Sequence, residues 1–171
     1  IGTPLLFFAL LGLGSFIIGI PFSYYRNFVI EEKFGFNKMN IRTFILDNIK
    51  GLTLSSIIGG GLLYIFILFY FQFPANFWLY AWAAFTAFSL FMAAFYVDLI
   101  VPLFNKLSPL QDEALMEKIK ILAEKTNFPL NSIMVIDGSK RSSKANAYFS
   151  GIGGKKSIVL FDTLLDDHSH E

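Results

Sequence analysis

Two stretches of this chain carry no charged side chain, Ile1–Tyr25 and Gly51–Val97, and both are rich in Leu, Ile, Phe and Gly. About 20 apolar residues of helix cross the hydrocarbon core of a bilayer, so the first stretch holds one span and the second holds two. Each Leu, Ile or Phe near a helix centre favours insertion by roughly 0.3–0.6 kcal/mol, which makes every span favourable by several kcal/mol. The pattern predicts spans over residues 5–25, 52–71 and 77–102. The alternative is a water-soluble fold with very long buried helices, and a chain of 171 residues lacks the material to cover them. Gln72-Phe73-Pro74-Ala75-Asn76 supplies the turn between the second and third spans, with Pro and Asn as its breakers. In the first span Gly12, Gly14 and Gly19 allow another helix to approach closely. Pro21 predicts a kink or an end near the interface, where Tyr24, Tyr25 and Arg26 would sit at headgroup level.

Between the first two spans lies a charged connection, residues 26–50, with alternating signs. Ile41, Phe44, Ile45 and Ile49 recur at helical spacing within it, which predicts an amphipathic helix lying along the interface. Arg26, Lys33, Lys38, Arg42 and Lys50 fall in this connection, and the Gln72–Asn76 turn has no basic residue. By the positive-inside rule the connection is cytoplasmic, the turn is on the far side, and the chain returns to the cytoplasm after Lys106. Asp98, near the cytoplasmic end of the third span, is a functional candidate as any ionisable group at membrane depth is. Its nearness to Pro102 and Lys106 favours the plainer reading, contact with water or a neighbouring helix.

After Pro102 the chain changes character, dividing a transmembrane region, residues 1–105, from the start of a water-soluble domain, residues 106–171. Ser108, Pro109 and Gln111 predict a helix start by cap, first-turn proline and capping box. The helix that follows puts Leu115, Met116, Ile119, Leu122 and Ala123 on one face and Glu113, Glu117, Lys120 and Glu124 on the other. Strands are predicted at Ile133–Ile136, Asn146–Phe149 and Ser157–Phe161, the last two forming a hairpin through Gly151, Gly153 and Gly154, with Asp162 capping a further helix. A helix and a few strands cannot close a core alone, so this part needs more chain or a partner. The fold class is therefore mainly α: a membrane helical bundle followed by a partial α+β domain with a small antiparallel sheet.

Composition sharpens this picture: 54 % hydrophobic, 18 % aromatic and 16 % charged residues are outside the range of ordinary soluble domains. A net charge of +1 argues against nucleic acid as a partner, and the absence of cysteine excludes disulfides and thiolate metal sites. The chain starts at Ile1 with no basic region before the first apolar run, which reads as a membrane helix of an excerpted chain rather than a signal peptide.

No Walker loop, dinucleotide fingerprint or Gly-x-Ser-x-Gly elbow is present. His168 and His170 could share a metal, although an exposed acidic loop, Asp166–Glu171, is the plainer account. Lys140, Arg141 and Lys144 could hold a phosphate or lipid headgroup, or form a solvated loop between strands.

Four motifs stand in register: Phe28-Val29-Ile30-Glu31-Glu32-Lys33-Phe34-Gly35-Phe36-Asn37-Lys38, Asp137-Gly138-Ser139-Lys140-Arg141-Ser142-Ser143, Asn146-Ala147-Tyr148-Phe149 and Ile158-Val159-Leu160-Phe161-Asp162-Thr163-Leu164-Leu165. Together with Pro102–Lys106 and Pro109-Leu110 they closely resemble the type 1 CAAX prenyl protease family, multi-spanning membrane zinc metalloendopeptidases. The resemblance implies seven spans, of which those here look like the third to fifth, around a large chamber with a cytoplasm-facing protease domain. It also implies a zinc ion held by a His-Glu-x-x-His helix and a later glutamate, the motif Glu acting as general base on a metal-bound water. None of those residues is in this chain; zinc would be bound by residues beyond it, and residues 1–171 alone should be inactive. What the resemblance assigns to this chain is the substrate edge. Backbone groups of Asn146, Ala147 and Tyr148 would hold, by ladder hydrogen bonds beside the metal, a peptide that adds as a further strand, and the Asn146 side chain could orient a substrate carbonyl. Read without the family, the same segment is an ordinary hairpin strand. Relatives commonly carry His and a small polar residue before Asn-Ala-Tyr, where this chain has Lys144 and Ala145. That variant has a prokaryotic cast, and in such an organism the substrate would be another membrane protein or peptide. The implied partners are the lipid bilayer and a peptide substrate from the C-terminus of a prenylated or membrane-associated protein. The alternative function is a non-catalytic membrane scaffold or peptide-binding protein. A transporter would call for paired intramembrane charges and repeated halves, and only Asp98 is available.

Overall fold

A computed structural model describes residues 1–154 and 156–167. His168 and His170 lie outside these residues. The chain divides into two compact units: Ile1–Phe34 with Asn40–Ser89, and Gly35–Met39 with the chain from Leu90 onward.

The first unit is helical. Helix α1, Gly2–Tyr25, carries Pro21 inside it and does not end there; a π-helical segment, Arg26–Glu31, continues it. Helix α2, Ile41–Gln72, starts where the Asn40 side chain accepts from the Thr43 N–H at 2.8 Å. The amphipathic stretch Ile41–Ile49 is thus not a separate element along the interface but the opening turns of the second span. No proline or other strong breaker separates it from Leu52, and Gly51 costs a helix only about 1 kcal/mol. The connection of residues 26–50 shrinks accordingly to the few residues between Glu31 and Ile41. Tyr24 stacks on Phe28 of the π-helical segment, and Phe44 of α2 meets both rings edge-on, with centroids 4.9–6.1 Å apart. Phe66, Phe69, Tyr70, Phe73, Phe77 and Tyr80 interlock around the turn from α2 into helix α3, Phe77–Leu99. All three long helices are apolar enough to cross a membrane, and the chain itself buries 0 %, 6 % and 6 % of their most apolar windows. Side chains such as Phe22, Ile57 and Trp82 therefore face lipid or further helices, where water would make them costly.

The second unit is a four-stranded sheet between helices. After α3 come a one-turn helix α4, Val101–Phe104, strand β1, Leu107–Pro109, helix α5, Glu113–Lys125, strand β2, Leu130–Ile136, strands β3, Ala147–Ser150, and β4, Lys156–Phe161, and helix α6, Asp162–Asp167. The strand order is β1-β2-β4-β3. The sheet is mixed rather than antiparallel: β1 and β3 run antiparallel to their neighbours, but β2 and β4 pair in parallel. The cause is the route of the chain, which passes from β2 to the outer position, forms β3, and turns back through Gly151 and Gly153. Both glycines have positive φ, at 110° and 60°.

The predicted helix start at Ser108 is a strand. Leu107, Ser108 and Pro109 pair with Ile136, Val135 and Met134, at a sheet edge where proline's missing N–H costs nothing. The cap is Asp112, which accepts from the Leu115 N–H at 2.8 Å. At the other end Asn127 takes the left-handed conformation, φ 51°, and closes α5 with Phe128 N–H donating to the Ala123 carbonyl.

Two cores flank the sheet. Leu110, Ile133 and Leu160 pack with Leu115, Met116 and Ile119 of α5 and with Leu164 and Leu165 of α6. On the opposite face Val97 and Val101, from the end of α3 and from α4, pack with Ile136 and the fully buried Val159. One layer over the sheet thus comes from the end of α3 and from α4, through Val97 and Val101.

Candidate functional site

The site is built on the strap Asp137–Asn146, which joins β2 to β3, and on β3 itself. The strap is tied down along its length. Asp137 exchanges backbone and side-chain bonds with Lys106, its carboxylate accepting the Lys106 N–H at 2.7 Å. Arg141 donates to the Phe104 carbonyl at 2.7 Å and to Asn105 Oδ1 at 2.6 Å, satisfying the end of α4. From the segment Gly35–Met39, Lys38 N–H donates to the Arg141 carbonyl at 3.1 Å, and Ser143 N–H returns a bond to Phe36 at 3.0 Å. The segment Gly35–Met39 and the strap are therefore hydrogen-bonded to one another.

The three basic residues of the strap each have a local partner. Lys140 pairs with Asp137, Arg141 holds the end of α4, and Lys144 lies 4.7 Å above the Phe36 ring. Asp98 is exposed on α3.

Strand β3 is an edge. Among the described residues its partner is β4, on one side only, with Ala147, Tyr148, Phe149 and Ser150 opposite Leu160, Val159, Ile158 and Ser157. Phe161 N–H donates to the Asn146 carbonyl at 3.0 Å, which fixes the phase of the ladder. Bonded pairs alternate in an antiparallel ladder, so the main-chain groups of Tyr148 and Ser150 turn to β4. Those of Ala147 and Phe149 turn outward. In this state the Asn146 side-chain oxygen accepts the outward Ala147 N–H at 2.9 Å.

Tyr148 projects to the α3–α4 face, where it helps to line an open cleft of about 440 Å³ with Tyr96, Ile100, Val101, Phe104, Asn105, Ile136 and Phe161. Partial burial, and secondarily the neighbouring Tyr96, hold its phenol above the ordinary value of 10.0. It remains a neutral donor throughout the physiological range.

Of the three residues expected to offer main-chain groups to a peptide, Ala147 alone does so: the Asn146 carbonyl and the Tyr148 main chain turn to β4, which leaves Asn146 its side-chain amide and Tyr148 its ring on the α3–α4 face. Phe149 was missed, although the two-residue period of a strand predicts that it shares the outward edge with Ala147.

The family described as "CAAX prenyl protease N-terminal, five membrane helices" matches residues 1–106, and "Peptidase family M48" matches residues 109–171. The chain belongs to the CAAX prenyl proteases of peptidase family M48. It is 44 % identical over 170 residues to CAAX prenyl protease 1 of Saccharomyces cerevisiae, a match that covers 99 % of this chain and 38 % of that protein. Against the CAAX prenyl protease 1 homolog of Homo sapiens the identity is 42 % over 173 residues, covering 99 % and 36 % respectively. The crystal structure of S. mikatae Ste24p superposes with a TM-score of 0.93 at 44 % identity, over 99 % of this chain and 40 % of that one. The chain thus spans well under half the length of these relatives.

The family implies zinc. Among the described residues no group of three or more His, Cys, Asp or Glu converges, so they do not fit a zinc site. What the described residues present instead is a sheet edge with the outward main-chain groups of Ala147 and Phe149.

Proposed function

We propose that this chain supplies membrane spans and the peptide-holding edge of a zinc metalloendopeptidase that cleaves near the C-terminus of prenylated or membrane-associated proteins. The observation that carries this reading is the one-sided pairing of β3, which leaves the main-chain groups of Ala147 and Phe149 directed away from the sheet beside an aromatic cleft. A substrate strand would take its ladder bonds from Ala147 and Phe149, and the Asn146 amide would release Ala147 and turn to a peptide group. Tyr148 would border the pocket for a neighbouring apolar substituent. Zinc would be held by residues outside this set, so the chain's contribution is to bind and orient the peptide. The soluble unit would face the cytoplasm; the basic connection, bonded to the strap through Phe36 and Lys38, supports that orientation.

The test compares residues 1–171 with a longer protein that carries this chain, each assayed for bound zinc and for hydrolysis of a quenched prenylated peptide. The longer protein should hold zinc and cleave, and residues 1–171 should do neither. Ala147→Pro deletes one outward donor at an edge that tolerates proline, and should raise KM by roughly 2- to 13-fold, the equivalent of one net hydrogen bond. Peptide binding without zinc or cleavage in the longer protein would instead establish the scaffold reading. Stoichiometric zinc and cleavage by residues 1–171 would overturn the division of labour proposed here.

A further inference from the structure

Three successive residues at the β4–α6 junction grip both ends of the strap. The Phe161 ring lies so close over Gly138 that a methyl group there would stand 2.3 Å from the ring. The Asp162 carboxylate accepts the Ser139 N–H at 2.9 Å and also the Ser139 hydroxyl. Thr163, 7 % exposed, donates its hydroxyl to the Lys144 carbonyl at 3.0 Å. On the far side of Ala145, the Asn146 carbonyl accepts from Phe161 N–H at 3.0 Å. Two bonds on alternate residues, Lys144 and Asn146, therefore set the angle at which the chain enters β3. The first of them depends on a single buried hydroxyl.

We infer that Thr163, assisted by Asp162 through Ser139, is a positioning residue for the peptide edge, setting where the Asn146 amide and the Ala147 N–H stand when a peptide arrives. The inference rests on the edge-strand reading of the proposed function. Thr163 touches no part of the peptide; it acts through Lys144. With the hydroxyl removed, the Lys144 carbonyl loses the Thr163 bond and the entry into β3 is held less firmly beside Asn146. The edge then samples orientations in which the ladder to a peptide cannot form, and peptide affinity falls before the rate of the bound complex does.

The experiment is steady-state cleavage of a quenched prenylated peptide by the longer protein carrying Thr163→Val, Thr163→Ser or Ala147→Pro, with zinc content measured alongside. Thr163→Val should raise KM about three- to tenfold with kcat within about twofold and zinc unchanged, and Thr163→Ser, which keeps the donor, should restore KM. A purely structural role would lower the active fraction, and so the apparent kcat, at constant KM; that result overturns the inference. A raised KM for Ala147→Pro beside an unchanged KM for Thr163→Val refutes the positioning role alone. An unchanged KM for Ala147→Pro refutes the edge reading beneath it. Should Thr163→Val fail to accumulate, Ser139→Ala at an exposed position decides: about a twofold rise in KM supports the inference and no change overturns it.

Discussion

Gly138→Ala tests the packing of the strap at its tightest point. The added methyl would lie 2.3, 2.9 and 3.3 Å from Cδ1, Cε1 and Cγ of Phe161. Carbon atoms in contact sit about 3.5–4.0 Å apart, so the ring must retreat by about 1 Å or more. Overpacking of this kind costs about 1–3 kcal/mol. Two effects offset part of it. Alanine restricts the unfolded chain, which contributes about 0.4–1 kcal/mol of stability, and Phe161 borders the open cleft, into which its ring can tilt. A net loss of about 1–2 kcal/mol is expected. The assay is denaturant unfolding of the longer protein in mild detergent, run as a double-mutant cycle with Phe161→Leu. In the leucine background Gly138→Ala should cost less than about 0.5 kcal/mol, giving a coupling near 1 kcal/mol. A neutral Gly138→Ala, or an equal loss in both backgrounds, would refute the claim that the Phe161 ring rests on Gly138.

The start of α5 gives a paired prediction: Asp112→Ala should cost about 1 kcal/mol by loss of its bond to Leu115 N–H, whereas Ser108→Ala should stay within about 0.5 kcal/mol, both read by the same unfolding assay. Tyr148 makes a prediction for alkaline pH. Its folded-state pKa lies above 10.0, so below about pH 10 it causes no pH dependence, and above that pH the unfolded chain ionises first and stability falls. Tyr148→Phe should flatten that part of the stability profile; an unchanged profile would contradict the raised value.

The membrane helices were legible in the sequence because their signal is local: an uncharged run from Gly51 to Val97 leaves few alternatives. The start of α2 was not, because Asp47 and Lys50 break the apolar run without breaking the helix. Backbone bonding continues through both, and Asn48 and Thr53 add side-chain bonds to the carbonyls of Phe44 and Ile49. Three strands could be read from their apolar runs. The fourth, Leu107–Pro109, could not, since Ser-Pro-x-Gln is also a fair helix start and only pairing with Met134–Ile136 decides between them. The parallel register of β2 and β4 had no local signal either, depending on a strap whose anchors lie far apart in sequence. Ser139 with Asp162 and Lys144 with Thr163 are separated by 23 and 19 positions. For the site, Asn146, Ala147 and Tyr148 came from family motifs, while the outward turn of Phe149 follows from the ladder phase that the Phe161–Asn146 bond fixes.

The central claim is that a peptide adds to the outer edge of β3, and amide hydrogen exchange at single-residue resolution tests it most directly. In the longer protein, saturating peptide should slow exchange at the Ala147 and Phe149 amides, which turn outward, and leave Tyr148, already turned to β4, unchanged. A peptide that binds while Ala147 and Phe149 exchange as fast as before would contradict the account.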